Sequence, residues 1–180
     1  MSLHTMMNKN DYAVLSNPIR IGAITSNFAL GADFDEQMVS NISIVPTVGD
    51  KYVVMQLENG LWELIGGTLE PGEAYMHALQ RELMEEIGAE MKEVRIIGRF
   101  HCLSDADKPY RPHIPHPRFI RLLATGEVRI VSRPLNPEDG EQVAKVELVE
   151  IEEAIRRFEA IERYDIAEMY KLAHQLREQA

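Results

Sequence analysis

The sequence predicts an α/β fold, a sheet with helices packed against it. Three observations carry this. Residues 39–47, 51–57 and 143–149 place apolar side chains at alternate positions, the pattern of half-buried strands. Residues 76–87 and 166–176 place them at helical spacing instead. The chain has 180 residues, of which 45% are hydrophobic, enough for one domain with a sizeable core.

The elements follow in order. Residues 1–18 read as poorly structured, with a turn at Asn17-Pro18, and 19–28 as a short extended element. Residues 1–38 are therefore set apart as an N-terminal extension, and 39–180 as the main domain. A strand at 39–47 turns at Gly49-Asp50 into a second at 51–57. Asn59-Gly60 is a hairpin signal that leads into 61–65 and Gly66-Gly67. A helix covers the following segment. Strands are expected at 94–103 and 118–125, with an edge segment at 127–131 and a late strand at 143–149. Helices at 151–158 and 165–179 close the chain, the latter with Asp165 and Glu168 spaced as a capping box. The last helix is longer than the core requires, so it covers the sheet or forms a homodimer contact.

The segment from Gly67 to Ala89 has the most pronounced spacing. Gly67 is followed after five residues by Glu73, and after seven more by Arg81-Glu82-Leu83-Met84-Glu85-Glu86-Ile87-Gly88-Ala89. Pro71-Gly72 marks a turn just before the helical pattern, and Gly88 a helix stop. Met76, Leu79, Leu83 and Ile87 form the buried stripe. Glu82, Glu85 and Glu86 sit at i, i+3 and i+4, so their carboxylates share one face at the edge of the core. Like charges so close destabilise a helix. A hard divalent cation such as Mg²⁺ or Mn²⁺ removes that penalty. Taken alone, such an acidic run is most often a solvated surface. The glycine and glutamate that precede it at fixed distance, together with Arg81, reverse that judgement. Arg81 is placed to reach back to the loop or to Glu73 and fix the turn.

This spacing resembles the Nudix box, G-x5-E-x7-R-E-U-x-E-E-x-G-U, with U an apolar residue. All seven positions of fixed identity are filled, a chance match on the order of 10⁻⁸ per window. The resemblance implies the Nudix α/β/α sandwich, a mixed sheet between helices. Two positions depart from the family pattern. Ile65 stands where the approach to the box commonly has proline, and Ala89 is a small residue at the last apolar position.

What the resemblance implies chemically is metal-dependent hydrolysis of a nucleoside diphosphate linked to another moiety, such as a nucleoside triphosphate or ADP-ribose. The implied metal set is Glu82, Glu85, Glu86 and the carbonyl of Gly67. The implied catalytic set is Glu82 or Glu141 as base, with Arg81 holding the turn. No downstream signature of coenzyme A or NADH pyrophosphatases is present, and Pro109-Tyr110 only approximates the offset used to type ADP-ribose and dinucleoside polyphosphate enzymes. The alternative is a non-catalytic nucleotide-binding or regulatory module, against which the intact glutamates argue. An isomerase of this fold needs a cysteine before the box, and the single cysteine, Cys102, follows it.

Charge supports a small polyanionic substrate rather than a nucleic acid. The net charge is −10, unsuited to nonspecific phosphate-backbone binding. Yet residues 95–133 hold eight Lys or Arg against three acids, a basic segment to face an acidic metal site. Within it, residues 104–117 contain four prolines and form a long stiff loop, of the kind that often carries function. Arg99, Tyr110, Arg111, His113 and Arg118 are the expected substrate-contacting residues, with Arg111 a phosphate clamp. Trp62 is read as structural or as stacking near the base. One cysteine excludes a disulfide framework. No apolar run spans a membrane and no signal peptide is indicated, so a cytoplasmic enzyme is expected.

Overall fold

The computed structural model describes residues 7–180. Among the described residues it contains a nine-stranded sheet and three α-helices. The strands are β1 (Ile19–Ile21), β2 (Ile24–Leu30), β3 (Val39–Val48), β4 (Lys51–Leu57), β5 (Trp62–Glu63), β6 (Ile65–Thr68), β7 (Ala89–Ser104), β8 (Arg118–Ile130) and β9 (Val143–Val149). The helices are α1 (Tyr75–Ile87), α2 (Ile151–Ala160) and α3 (Tyr164–Glu178).

The main path runs β1-β2-β7-β8-β3-β4-β5, with β6 pairing β3 and β9 pairing β4. The sheet is mixed because β3 and β8 run parallel while the other pairs are antiparallel. α1 packs on one face, where Leu79, Leu83 and Ile87 meet Ile42, Ile44, Leu122 and Ala124. α2 and α3 pack on the other, where Phe158, Ile166 and Tyr170 meet Val45, Tyr52 and Leu123. The alternation along β3 and β8 thus feeds both cores, as expected of a central strand covered on both sides.

One detail of the sheet makes the site. β3 and β4 pair only at Thr47↔Tyr52 and Val48↔Lys51. Beyond that they part, and β6 occupies the edge of β3, with Ile42↔Gly67 and Ser43↔Gly66. β6 lies so close that a Cβ on Gly66, which has φ +137°, would meet the Ile42 carbonyl oxygen at 2.3 Å. Glycine at 66 is what permits this pairing. Gly66 and Gly67 therefore belong to a strand, and the gap between β3 and the β4–β5–β9 wing becomes a cleft.

Several local expectations change. β7 begins at Ala89, and the edge segment at 127–131 is the continuation of β8 through Gly126. Glu168 does not cap α3. Its carboxylate accepts the backbone N–H groups of Val14 and Leu15 at 2.8–3.1 Å, while Asp165 pairs with Arg163. Tyr12 and Leu15 are accordingly buried, so the described part of the first eighteen residues packs into the core rather than lying loose. Cys102 is buried beside Ser26 Oγ, at 3.2 Å. α3 buries its apolar side against the sheet.

Candidate active site

α1 starts after the Pro71-Gly72 turn and stops at Gly88, whose φ of 63° and ψ of 39° form a left-handed cap. Its last carbonyls are met by the segment after β8. Gly88 O accepts from Val131 and Ser132, Met84 O from Leu135, and Glu85 O from Asn136. Asn136 in turn exchanges two hydrogen bonds with Val143, closing the 137–142 loop. That loop carries Glu141 to the cleft on a segment fastened to the glutamate helix.

The cleft has a volume of about 560 Å³. Glu82, Glu85, Glu86, Arg81, Gly67, Glu141 and Arg111 all line it. Glu86 is 6% exposed and accepts the Gly66 N–H at 2.8 Å. Glu82 is 9% exposed and lies against Gly67, where a Cβ would sit 2.1 Å from its Oε1. Position 67 has no space for a side chain, which leaves its backbone open to the glutamates. Burial pushes the Glu86 carboxyl well above the usual range; the Gly66 N–H opposes this, and Glu82, Glu141 and Glu85 add to it. Glu82 is raised by burial, with Arg81 opposing. Glu141 is raised by burial and then by Glu63.

Arg81 gathers the box into one network. Its Nε and Nη2 donate to the two Glu73 oxygens at 2.9 Å, Nη2 also reaches Thr68 O at 3.2 Å, and Nη1 reaches Glu82 at 2.8 Å and Glu85 at 3.3 Å. The arginine fork thus fixes the loop and the helix together. It holds Glu73 below the usual carboxylate range.

Seven carboxylates line the cleft (Glu63, Glu70, Glu82, Glu85, Glu86, Asp139, Glu141) against four arginines (Arg81, Arg111, Arg121, Arg163). A cavity with this excess of negative charge repels a polyphosphate unless cations intervene. The donors are all hard oxygens, matching Mg²⁺ or Mn²⁺. Among the described residues, no three acidic or histidine side chains already converge as a metal cluster. Arg81 draws Glu82 and Glu85, and the Gly66 N–H draws Glu86. The composition fits a divalent cation, and Glu82 and Glu85 would turn from Arg81 to hold one.

The remaining sequence-selected residues divide. Tyr110 donates its hydroxyl to Asn41 Oδ1 at 2.7 Å, and His113 Nε2 donates to Leu69 O at 2.7 Å. These tethers, with buried Ile114, fix the 105–117 loop so that Arg111 faces the cleft. Arg99 lies outside the cleft lining and donates to Leu30 O and Gly31 O. Arg118 is exposed at the start of β8, also outside the lining. Trp62 is outside it too, half-buried under the Arg157 guanidinium, 4.4 Å from the ring centroid.

Arg121 is a lining residue that the sequence reading passed over. The signal was present: an arginine inside the apolar run of β8, in register with Asn41 of β3. Arg163 and Glu63, joined at 3.1 Å, form another part of the wall.

Comparisons with known proteins bear on the family and the fold. Residues 39–171 match the family model described as the NUDIX domain. YtkD of Bacillus subtilis (strain 168), provisionally an 8-oxo-dGTP diphosphatase, is 31% identical over 74 residues, 39% of this chain and 47% of that protein. The match thus spans about half the length of that curated relative. The crystal structure of the Bacillus subtilis pyrophosphohydrolase BsRppH superposes with a TM-score of 0.65 at 15% identity, covering 91% of this chain and 98% of that one. A NUDIX hydrolase from Nitrosomonas europaea gives 0.49 at 20% identity, covering 71% and 89%.

Proposed function

This chain belongs to the NUDIX family, and from that premise we propose that it is a Mg²⁺- or Mn²⁺-dependent pyrophosphohydrolase. Its substrate is a nucleoside diphosphate linked to another moiety. The single observation that carries the reading is the cleft in which Glu82, Glu85 and Glu86 stand beside the side-chain-free Gly67, opposite Arg111. Similarity to YtkD places nucleoside triphosphates, 8-oxo-dGTP among them, first in the panel to be tested, with ADP-ribose second. Residues 39–180 form the hydrolase domain, and 1–38 an extension whose β1 and β2 widen the sheet.

A bound divalent cation neutralises the pyrophosphate charge and lowers the pKa of a water. The chain supplies the rest. Glu82, Glu85, Glu86 and the Gly67 carbonyl would hold the cation. Arg111 takes phosphate oxygens through its fork and orients the chain of phosphates. The proton of the attacking water goes to a carboxylate, with Glu141 and Glu82 the two candidates. Burial, and then Glu63, hold Glu141 above the usual carboxylate range, which makes it a better proton acceptor, whereas a cation held by Glu82 would pull that carboxyl the other way. Arg81 keeps Glu73, the box loop and the helix in one register.

The test is a panel of nucleoside triphosphates, 8-oxo-dGTP and ADP-ribose with Mg²⁺ or Mn²⁺, followed by release of phosphate, pyrophosphate or nucleotide. Turnover that a chelator abolishes supports the proposal. Absence of turnover on every member, with either metal, overturns it and leaves a nucleotide-binding module.

A further inference from the structure

A second, smaller cavity of about 130 Å³ adjoins the cleft, sharing Ser43, Leu64, Arg121 and Arg163 with it. Its character is different. Ile19, Ile21, Phe100 and Met169 supply apolar walls, Ser26, Arg163 and Asp165 add polar groups suited to the edge of a base, and none of the box glutamates line it. A cavity of this size is too small for a whole ligand, which commonly needs at least about 300 Å³. An apolar cavity of about 150 Å³ accommodates one aromatic ring. The smaller cavity therefore suits one ring of a larger molecule whose charged part lies in the cleft.

Arg121 stands where the two meet. Of the four arginines lining the cleft, Arg81 and Arg163 are committed to carboxylates. Among the described residues Arg121 makes no ion pair, and its Nε is buried without a hydrogen-bond partner. Its guanidinium lies over the Phe119 ring, 5.5 Å from the centroid, which fixes the group without satisfying its donors. A buried donor left unpaired costs free energy; Arg99 Nε shares this state away from both cavities, whereas Arg121 Nε lies where an incoming acceptor would meet it.

We infer that the smaller cavity receives the nucleobase of the substrate, and that Arg121 at the junction binds the phosphate nearest the sugar. The cavity then separates base-bearing polyphosphates from bare ones, and Arg121 anchors the phosphate at its mouth. One ring of the base enters the cavity, and the second ring of a purine lies in its mouth beside Ile21, which is 60% exposed. This assignment rests on the proposed hydrolysis of nucleotides, but it concerns recognition and is tested separately.

The probes are a methylene-bridged dGTP analogue and inorganic tripolyphosphate, with binding read by calorimetry in the presence of Mg²⁺. Ile21→Trp is the principal variant, because an exposed edge-strand position accepts an aromatic without disturbing the core. It plugs the mouth and is expected to weaken the dGTP analogue about tenfold, while tripolyphosphate changes less than about twofold. Arg121→Gln removes the fork and is expected to weaken the analogue by about tenfold or more. It raises KM for dGTP. Arg121→Lys, a point charge without the fork, restores only part of the loss. Wild-type protein that binds the analogue no better than tripolyphosphate overturns the assignment, as does Ile21→Trp with unchanged affinity for the analogue. Base-dependent binding that Ile21→Trp weakens, without turnover of any nucleotide, supports the assignment and removes the hydrolase reading. Turnover of dGTP unaffected by Ile21→Trp does the reverse.

Discussion

The two faces of the central sheet hold cores of different kinds. Under α2 and α3 the largest buried groups are aromatic, and their polar ends are met: Tyr170 donates to Val53 O at 2.8 Å, and Tyr52 hydroxyl pairs with His174 Nδ1 at 2.9 Å. Under α1 the apolar stripe ends in two nearly buried carboxylates, Glu82 and Glu86. Both faces bury apolar side chains that stabilise the fold. The α1 face also keeps charge out of water, a cost tolerated where that charge has work to do.

The largest effect is expected of Glu86→Gln. On the proposed reading Glu86 holds the cation, and removing its charge is expected to lower turnover by roughly two orders of magnitude or more. The same change removes a desolvated carboxylate while keeping an acceptor for the Gly66 N–H, so the metal-free protein should melt higher than the wild type. Kinetics and metal-free thermal melts check both halves. A variant that loses activity and also melts lower would show that Glu86 supports the fold.

Phe158→Ala is the counterpart on the opposite face. It empties a fully buried aromatic position between α2 and Tyr170, at a cost of about 3–5 kcal/mol. Denaturant unfolding measures this, and kcat/KM of the remaining folded protein should be close to wild type.

How much of this contrast the sequence displays depends on the range of the interactions involved. The glutamate face of α1 is legible because it is set by residues three and four apart, a turn before them and a glycine after. The hydrophobic alternation of β3 and β9 is legible for the same reason. The parting of β3 from β4 is not, because it depends on β6 taking the place at the edge of β3, a pairing made by residues over twenty positions apart. Arg121 was legible in part: its place in an apolar run is local, but its position at the junction of two cavities is built by β1, β7, β8 and α3 together. Glu168 misled because i,i+3 spacing to Asp165 is a local signal, and a long-range partner, the backbone of Val14 and Leu15, took its carboxylate instead.

Arg81→Lys sharpens the comparison at its hinge. A lysine ammonium cannot reach Glu73, Thr68 O, Glu82 and Glu85 together, so part of the network is left unmet. The expected loss is about 1–3 kcal/mol of stability, with lower kcat/KM, read by urea unfolding and steady-state rates.

Glu73→Gln is the smallest. The hydrogen bonds from Arg81 hold the Glu73 carboxyl below its ordinary 4.5. Its contribution is therefore full above about that pH and is lost as pH falls through the lower folded value. The wild type should exceed the variant by about 1 kcal/mol or less near neutrality, and the two should converge in acid. Stability curves at neutral and acid pH settle the sign.

The fastening of the 131–136 segment to the end of α1 has a consequence for motion. Four backbone N–H groups of that segment occupy carbonyls from the last turns of the helix, so neither can open while the other stays closed. The two should protect their amides from solvent hydrogen together, as one cooperative unit. Glu141, carried on the adjoining loop, therefore has its distance to Glu85 and Glu86 governed by the same opening event. Amide exchange at Leu135 and Asn136 that ran far ahead of exchange in the α1 turn would separate them.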